Sequence, residues 1–111
     1  MSARYEIFRG TNQQYYFRLK APNNEIILQS EGYVAKSSCQ GGIQSAQQHS
    51  PYDRFYVRYT STRNLPYFVL RSANNQVVGV SEEYSSNQAR DNGIDAVKRH
   101  GPTASVVDLT I

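Results

Sequence analysis

The sequence predicts an α+β fold built of two pseudo-symmetric β-β-β-α repeats, forming an antiparallel sheet with two helices packed on one face. Three observations predict it. Tyr16-Phe17-Arg18-Leu19-Lys20 returns as Tyr67-Phe68-Val69-Leu70-Arg71, Asn23-Asn24 as Asn74-Asn75, and Ser30-Glu31-Gly32-Tyr33 as Ser81-Glu82-Glu83-Tyr84. Gly42-Ile43 returns as Gly93-Ile94 and His49 as His100, always 51 positions later and without a gap. Within each copy, three segments alternate apolar and polar residues with the period of a strand, and a fourth switches to the period of a helix.

A chain of 111 residues fits one domain. One copy alone, at about 50 residues, is near the lower limit for an independent core. The expected organisation is therefore a single domain, residues 1–52 and 53–111 being repeats that share one hydrophobic interior.

Arg4 to Arg9 reads as the first strand, with Tyr5 and Ile7 on one face and Glu6 on the other. Gly10 to Gln14 is turn material. Tyr15 to Ala21 is a second strand, placing Tyr15, Phe17 and Leu19 opposite to Tyr16, Arg18 and Lys20. Pro22-Asn23-Asn24-Glu25 is a hairpin turn, because asparagine tolerates positive φ. With Asn23-Asn24 central, Leu19 faces Leu28 and Lys20 faces Ile27 on the returning strand, Ile26 to Ser30. Ala35, Cys39, Gly42, Ile43 and Ala46 then fall on one stripe of a helix closed by Ser50-Pro51, with Gln40, Gln44, Gln47 and Gln48 largely off it.

The second copy repeats the plan. Arg54 to Tyr59 is a strand with Phe55, Val57 and Tyr59 on one face and Arg54, Tyr56 and Arg58 on the other. The link Thr60 to Leu65 reads as one residue longer than its counterpart. Tyr67 to Ser72 and Val77 to Ser81 form the hairpin, and Ser86 to His100 the helix. Ser85 to Gln88 reads as a capping box, and Gly101-Pro102 as the stop. Ser105 to Leu109 is a short strand outside the repeat, expected to pair with an edge left by the other half.

The doubled pattern resembles the YegP-like family, small bacterial proteins of unknown function. It consists of Tyr-Phe-x-Leu-Lys/Arg, a turn with Asn, two apolar residues (Ile26-Ile27, Val77-Val78), Ser-Glu-x-Tyr, and a helix with Gly-Ile near its middle. Val107-Asp108-Leu109-Thr110 is similar to the family's C-terminal end. The resemblance implies a three-strand meander plus helix in each repeat, the two packed together, and it implies no catalytic residues. The chain departs from the family at the turns, which are Asn-Asn rather than Asn-Gly, and at the helix starts. The first copy keeps Lys36 but has Ala35 before it, and the second keeps Ser86 followed by Asn87.

Composition narrows function more by exclusion. No apolar run has the ~18 residues of a membrane span, and Met1 to Glu6 does not resemble a signal peptide. A lone cysteine, Cys39, precludes an internal disulfide and points to the cytoplasm. The net charge of +3 permits an anionic partner. Glu31 and Glu82, related by the repeat, are the only carboxylate couple worth weighing as acid and base, and turn chemistry is the preferred reading of their motif, because no nucleophile or metal ligand set accompanies them. Cys39 and His49 lie ten residues apart on one helix, roughly 15 Å in rise, too far for a thiol–imidazole pair. Two isolated histidines make no metal site, and no cofactor motif is present. Gly42 and Gly93, at the same place in both helices, predict close approach of another group.

The remaining candidate is the outer sheet face. It is expected to carry Tyr16, Arg18, Lys20, Arg54, Tyr56, Arg58, Tyr67 and Arg71, with Ile27, Val69, Val78 and Val80 among them. The reading is a non-enzymatic binding module, its partner another protein or a second copy. The alternative is a binder of single-stranded nucleic acid or another anion through the basic tyrosine face.

Overall fold

The computed structural model describes residues 2–111. Its elements run β1 (Arg4–Arg9), β2 (Tyr15–Lys20), β3 (Ile26–Gln29), α1 (Lys36–His49), β4 (Tyr56–Thr60), β5 (Pro66–Arg71), β6 (Val77–Val80), α2 (Asn87–His100) and β7 (Ser105–Asp108). All seven strands join one sheet in the order β4-β5-β6-β3-β2-β1-β7. The two meanders meet at β3 and β6, antiparallel through Gln29 and Val80. The pairing is antiparallel throughout except at one edge, where β7 lies parallel to β1. The expected closing strand thus docks on the repeat at the other end of the chain. Among the described residues, no helix is long and apolar enough to cross a membrane.

Both helices cover the same sheet face, and each spans the two repeats. α1 rests on β2 but also on β5 and β6, while α2 rests on β5 and on β3. Tyr5, Ile7, Phe17, Leu19, Leu28, Phe68, Leu70, Ile94 and Val97 fill the layer between sheet and helices. The latches at the helix ends also cross over. Tyr5 Oη donates to the Gly101 carbonyl at 2.7 Å, and Tyr56 Oη to the Ser50 carbonyl at 2.6 Å. Ser50 and Gly101 hold equivalent repeat positions, and a Cβ on Gly101 would stand 2.7 Å from that of Ser50. Gly101 has φ of −57°, so its role is to let the two helix ends meet rather than to supply a left-handed cap.

Several expectations change here. The four hairpin links are three-residue loops of one design, a turn followed by a single left-handed residue: Gln13, Asn24, Asn64 and Asn75, with φ between 62° and 75°. In each, that residue's N–H reaches back to the carbonyl three positions earlier, as from Asn24 to Ala21 at 2.8 Å. The second copy's first link therefore has no extra residue, since Thr60 belongs to β4 opposite Pro66. The three-residue loop also puts Lys20 opposite Ile26, with a bulge between Leu19 and Lys20, and the second hairpin repeats it between Leu70 and Arg71. A bulge breaks strict alternation, so Ile27 and Val78 turn into the core instead of lying on the outer face. β4 starts later than expected because Asp53–Phe55 form a single 3-10 turn. The second helix is capped by Ser86, whose Oγ accepts from Ala89 N at 3.0 Å. With alanine at that third position there is no capping box.

Candidate functional site

Among the described residues, both helices cover one sheet face and leave the opposite face uncovered. β1 contributes Arg4, Glu6 and Phe8, opposite Lys20, Arg18 and Tyr16 of β2. β4 contributes Val57 and Tyr59, opposite Val69 and Tyr67 of β5. Gln29 and Val80 join the halves. Opposed residues of a ladder share a face, so both halves present the same plan. At one end Phe8 stacks on Tyr16 with ring centroids 5.6 Å apart, and at the other Tyr59 stacks on Tyr67 at 5.5 Å.

Between the ring pairs the halves differ chemically. In the first, Glu6 is buried and accepts from three cations: Arg18 Nε at 2.8 Å, Arg4 Nε at 3.0 Å and Lys20 Nζ at 3.4 Å. Burial pushes the Glu6 carboxyl upward, but hydrogen bonds from Arg18, Arg4 and Lys20 outweigh it and hold the group below its ordinary range. It stays ionised, and three cations around one carboxylate leave an excess of positive charge. Arg18 also lies over the Phe8 ring at 4.5 Å. In the second half, Val57 and Val69 stand where the first has Glu6 and Arg18, Phe55 stands where it has Arg4, and Arg71 keeps the charge of Lys20. Arg71 stands at the rim and donates through Nη2 to Tyr59 Oη at 3.3 Å.

Five of the eight expected residues therefore share the face: Tyr16, Arg18, Lys20, Tyr67 and Arg71. Three do not. Tyr56 is buried against Phe68 with its hydroxyl on the Ser50 carbonyl, and burial raises its phenol strongly. Arg58 sits opposite Phe68, on the helix side, with Nη2 3.1 Å from Asp53 and Nε 3.5 Å from Asp91. Arg54 lies in the 3-10 turn, over the rings of Phe55 and Tyr52 at 4.5 and 4.9 Å. Charge alone puts the arginines of β4 outward. The repeat held the better signal, because Tyr56 follows Tyr5 by 51 positions and Tyr5 is core. Sequence reasoning missed Arg4, Glu6, Phe8 and Tyr59 as members of the face. Extending the repeat register into β1 and β4 would have found them.

The other candidates take structural places. Ser30 Oγ accepts from Phe17 N at 2.9 Å and donates to the Glu31 carbonyl, and Ser81 does the same with Phe68 and Glu82. Glu31 and Glu82 each stand two residues beyond the Gln29–Val80 pair on antiparallel strands. They diverge by about 13 Å of strand length and do not form a couple. Cys39 is fully buried, and burial, then the charge of Asp108, pushes its thiol up to about 11. His49 bonds through Nδ1 to the Ser45 carbonyl at 2.8 Å, and its Nε2 accepts from Ala73 N at 3.1 Å. It thus ties α1 to the second hairpin. A Cβ on Gly42 or Gly93 would run into the hydroxyl of Tyr33 or Tyr84, so both glycines make room for the tyrosine of the Ser-Glu-x-Tyr motif. Among the described residues, no three His, Cys, Asp or Glu side chains cluster as metal ligands.

The family model described as "Domain of unknown function (DUF1508)" matches residues 11–56 and again 62–108. A UPF0339 protein of Acinetobacter baylyi is 51% identical, over 99% of this chain and 99% of its own length. The UPF0339 protein YegP of Yersinia pestis is 50% identical over 96% of both. The solution structure of yegP from E. coli, described as a protein of unknown function, superposes with a TM-score of 0.92 at 38% identity, covering 98% of this chain and 94% of that one.

Proposed function

The chain belongs to the DUF1508 family, and from that premise we propose that it is a non-enzymatic binding module that engages its partner through the helix-free sheet face. Its buried thiol and its separated glutamates support a non-catalytic role. Its compartment in this reading is the cytoplasm, in keeping with a single unpaired cysteine.

One observation favours an anionic ligand, with single-stranded nucleic acid as the working case. Arg4, Arg18 and Lys20 surround a single carboxylate between two stacked aromatic pairs. Rings supply platforms for bases, and the cation excess suits phosphates.

The test titrates the intact chain with a single-stranded oligonucleotide at about 50 and about 200 mM salt, following tyrosine fluorescence. Binding should weaken with salt, and replacing Lys20 and Arg71 together by alanine should flatten the dependence by roughly 0.7 in log–log slope per lost phosphate contact. Absent or salt-insensitive binding rejects the nucleic-acid reading. A bound ligand of any class that leaves the ring resonances of Tyr16 and Tyr67 unmoved rejects the face itself.

A further inference from the structure

The sheet ends at β4 and at β7, and an end strand offers unpaired N–H and C=O groups to any extended chain. The two ends differ in how much apolar surface they leave exposed. At β4, Arg58 points inward and is clamped by Asp53 and Asp91, while Lys98 Nζ reaches Asp53 at 2.8 Å. An inward charge on an edge strand is a standard defence against added strands. At β7 the corresponding inward charge is Asp108, opposite Ile7, and the residues around it are apolar and exposed. Val106 is 48% exposed, Val107 38% and Leu109 51%. Asp108, the only charge on that strand, is taken up by Lys36 Nζ at 2.8 Å and by Thr110.

The helices flanking these edges differ in the same sense. A groove beside β7 is lined by Gln40, Ile43, Gln44, Gln47 and Val106. The repeat equivalents of its four α1 residues are Asp91, Ile94, Asp95 and Lys98 on α2, beside β4. The apolar residue is kept, and the three around it change from amides to charges. One scaffold, present twice in one molecule, therefore has one edge flanked by amides and one flanked by charges.

We infer that the β7 edge and the glutamine flank of α1 form a homodimer interface, a second copy adding its own β7 antiparallel about a two-fold axis. In a two-fold contact residue i meets j and j meets i, and only residues near the axis meet their own copies, so a charge near the axis meets a like charge. Glutamine is suited to that position, because its amide both donates and accepts and so bonds to itself. With the axis at Val106, that residue faces its twin and Ser105 faces Val107, which keeps both helix layers on the same side of a continuous sheet. The grooves then merge, and Ile43 and Val106 of both copies close over one another. A four-residue strand and one helix flank fall short of the roughly 1,200 Å² of a standard interface, so the dimer dissociates on dilution.

Sedimentation of the intact chain tests this. The apparent mass should rise from 12.6 kDa toward twice that as concentration increases from about 10 µM to about 1 mM, the range expected for an interface this small. Gln40→Lys with Gln44→Lys, exposed positions where lysine is a good helix former, should hold the mass at one chain throughout. Gln48→Lys, exposed and outside the groove, should not. A wild-type chain that stays monomeric at about 1 mM, or a double-lysine variant that associates as the wild type does, overturns the inference.

Discussion

Gly41 and Gly42 stand side by side on α1, and alanine at each should change stability in opposite directions. Glycine inside a helix costs about 1 kcal/mol relative to alanine, so both substitutions start with that gain. At Gly41 a Cβ meets nothing within 4 Å, and the gain survives whole. At Gly42 a Cβ overlaps the Tyr33 hydroxyl and stands 3.0 Å from both Tyr33 Cζ and Phe17 Cε2. Phe17 is fully buried and cannot give way. Overpacking of this kind costs about 1–3 kcal/mol, which leaves Gly42→Ala about 1 kcal/mol less stable than the parent. For a chain of this size those changes correspond to melting shifts of about 4 °C, up for Gly41→Ala and down for Gly42→Ala. Urea unfolding followed by helical circular dichroism reads both, provided the m-value is unchanged. Repeating Gly42→Ala in a Tyr33→Ala background should recover the part of the loss owed to Tyr33, because the nearest obstacle has gone while Phe17 stays. Two alanines that shift stability in the same direction, or a Tyr33→Ala background that leaves Gly42→Ala just as harmful, would refute the close-contact reasoning for this helix and for Gly93 with Tyr84.

Glu6→Gln strands Arg4, Arg18 and Lys20 on a crowded face and should cost about 3 kcal/mol. The folded Glu6 carboxyl titrates below its ordinary 4.5, so its contribution is complete above that pH and is lost as pH falls through the lower folded value. Asp108, held down to about 2 by Lys36 and Thr110, acts with the same sign at lower pH. Glu6→Gln should therefore flatten the acid side of a stability–pH curve below the ordinary carboxylate range, and an unchanged slope there speaks against the cluster. Gln13→Gly relieves a left-handed residue, φ 66°, that costs an ordinary side chain about 1–2 kcal/mol. Its urea midpoint should rise by the equivalent of about 1 kcal/mol once the added chain entropy of glycine is deducted, and a fall would show the turn to be set otherwise.

The repeat made most of the fold legible. Strands and helices fell within a residue or two of their expected bounds wherever period and register agreed, as at β1, β2, α1 and α2. Local signals failed where geometry depends on a partner. Asn23-Asn24 reads equally well as a two-residue or a three-residue loop, and only the ladder decides. That choice creates the bulge that turns Ile27 and Val78 inward. Tyr56 and Arg58 defy the local signal because a charge normally marks the wet side of a strand, and here Arg58 reaches carboxylates across the edge. The Glu6 cluster was hidden for another reason. Its members come from two strands, and a lone glutamate among apolar neighbours is silent until the register brings Arg18 opposite.

The parallel seam of β7 on β1 has a consequence for how the protein is made. A ribosome delivers Arg4–Arg9 early and Ser105–Asp108 nearly a hundred residues later. Throughout that interval the outer flank of the first strand is bare, and Lys36 waits for Asp108. Nascent chains awaiting that seal are the form most open to rescue by chaperones and to mispairing between neighbours on one messenger. A premature stop before Ser105 would make that vulnerability permanent.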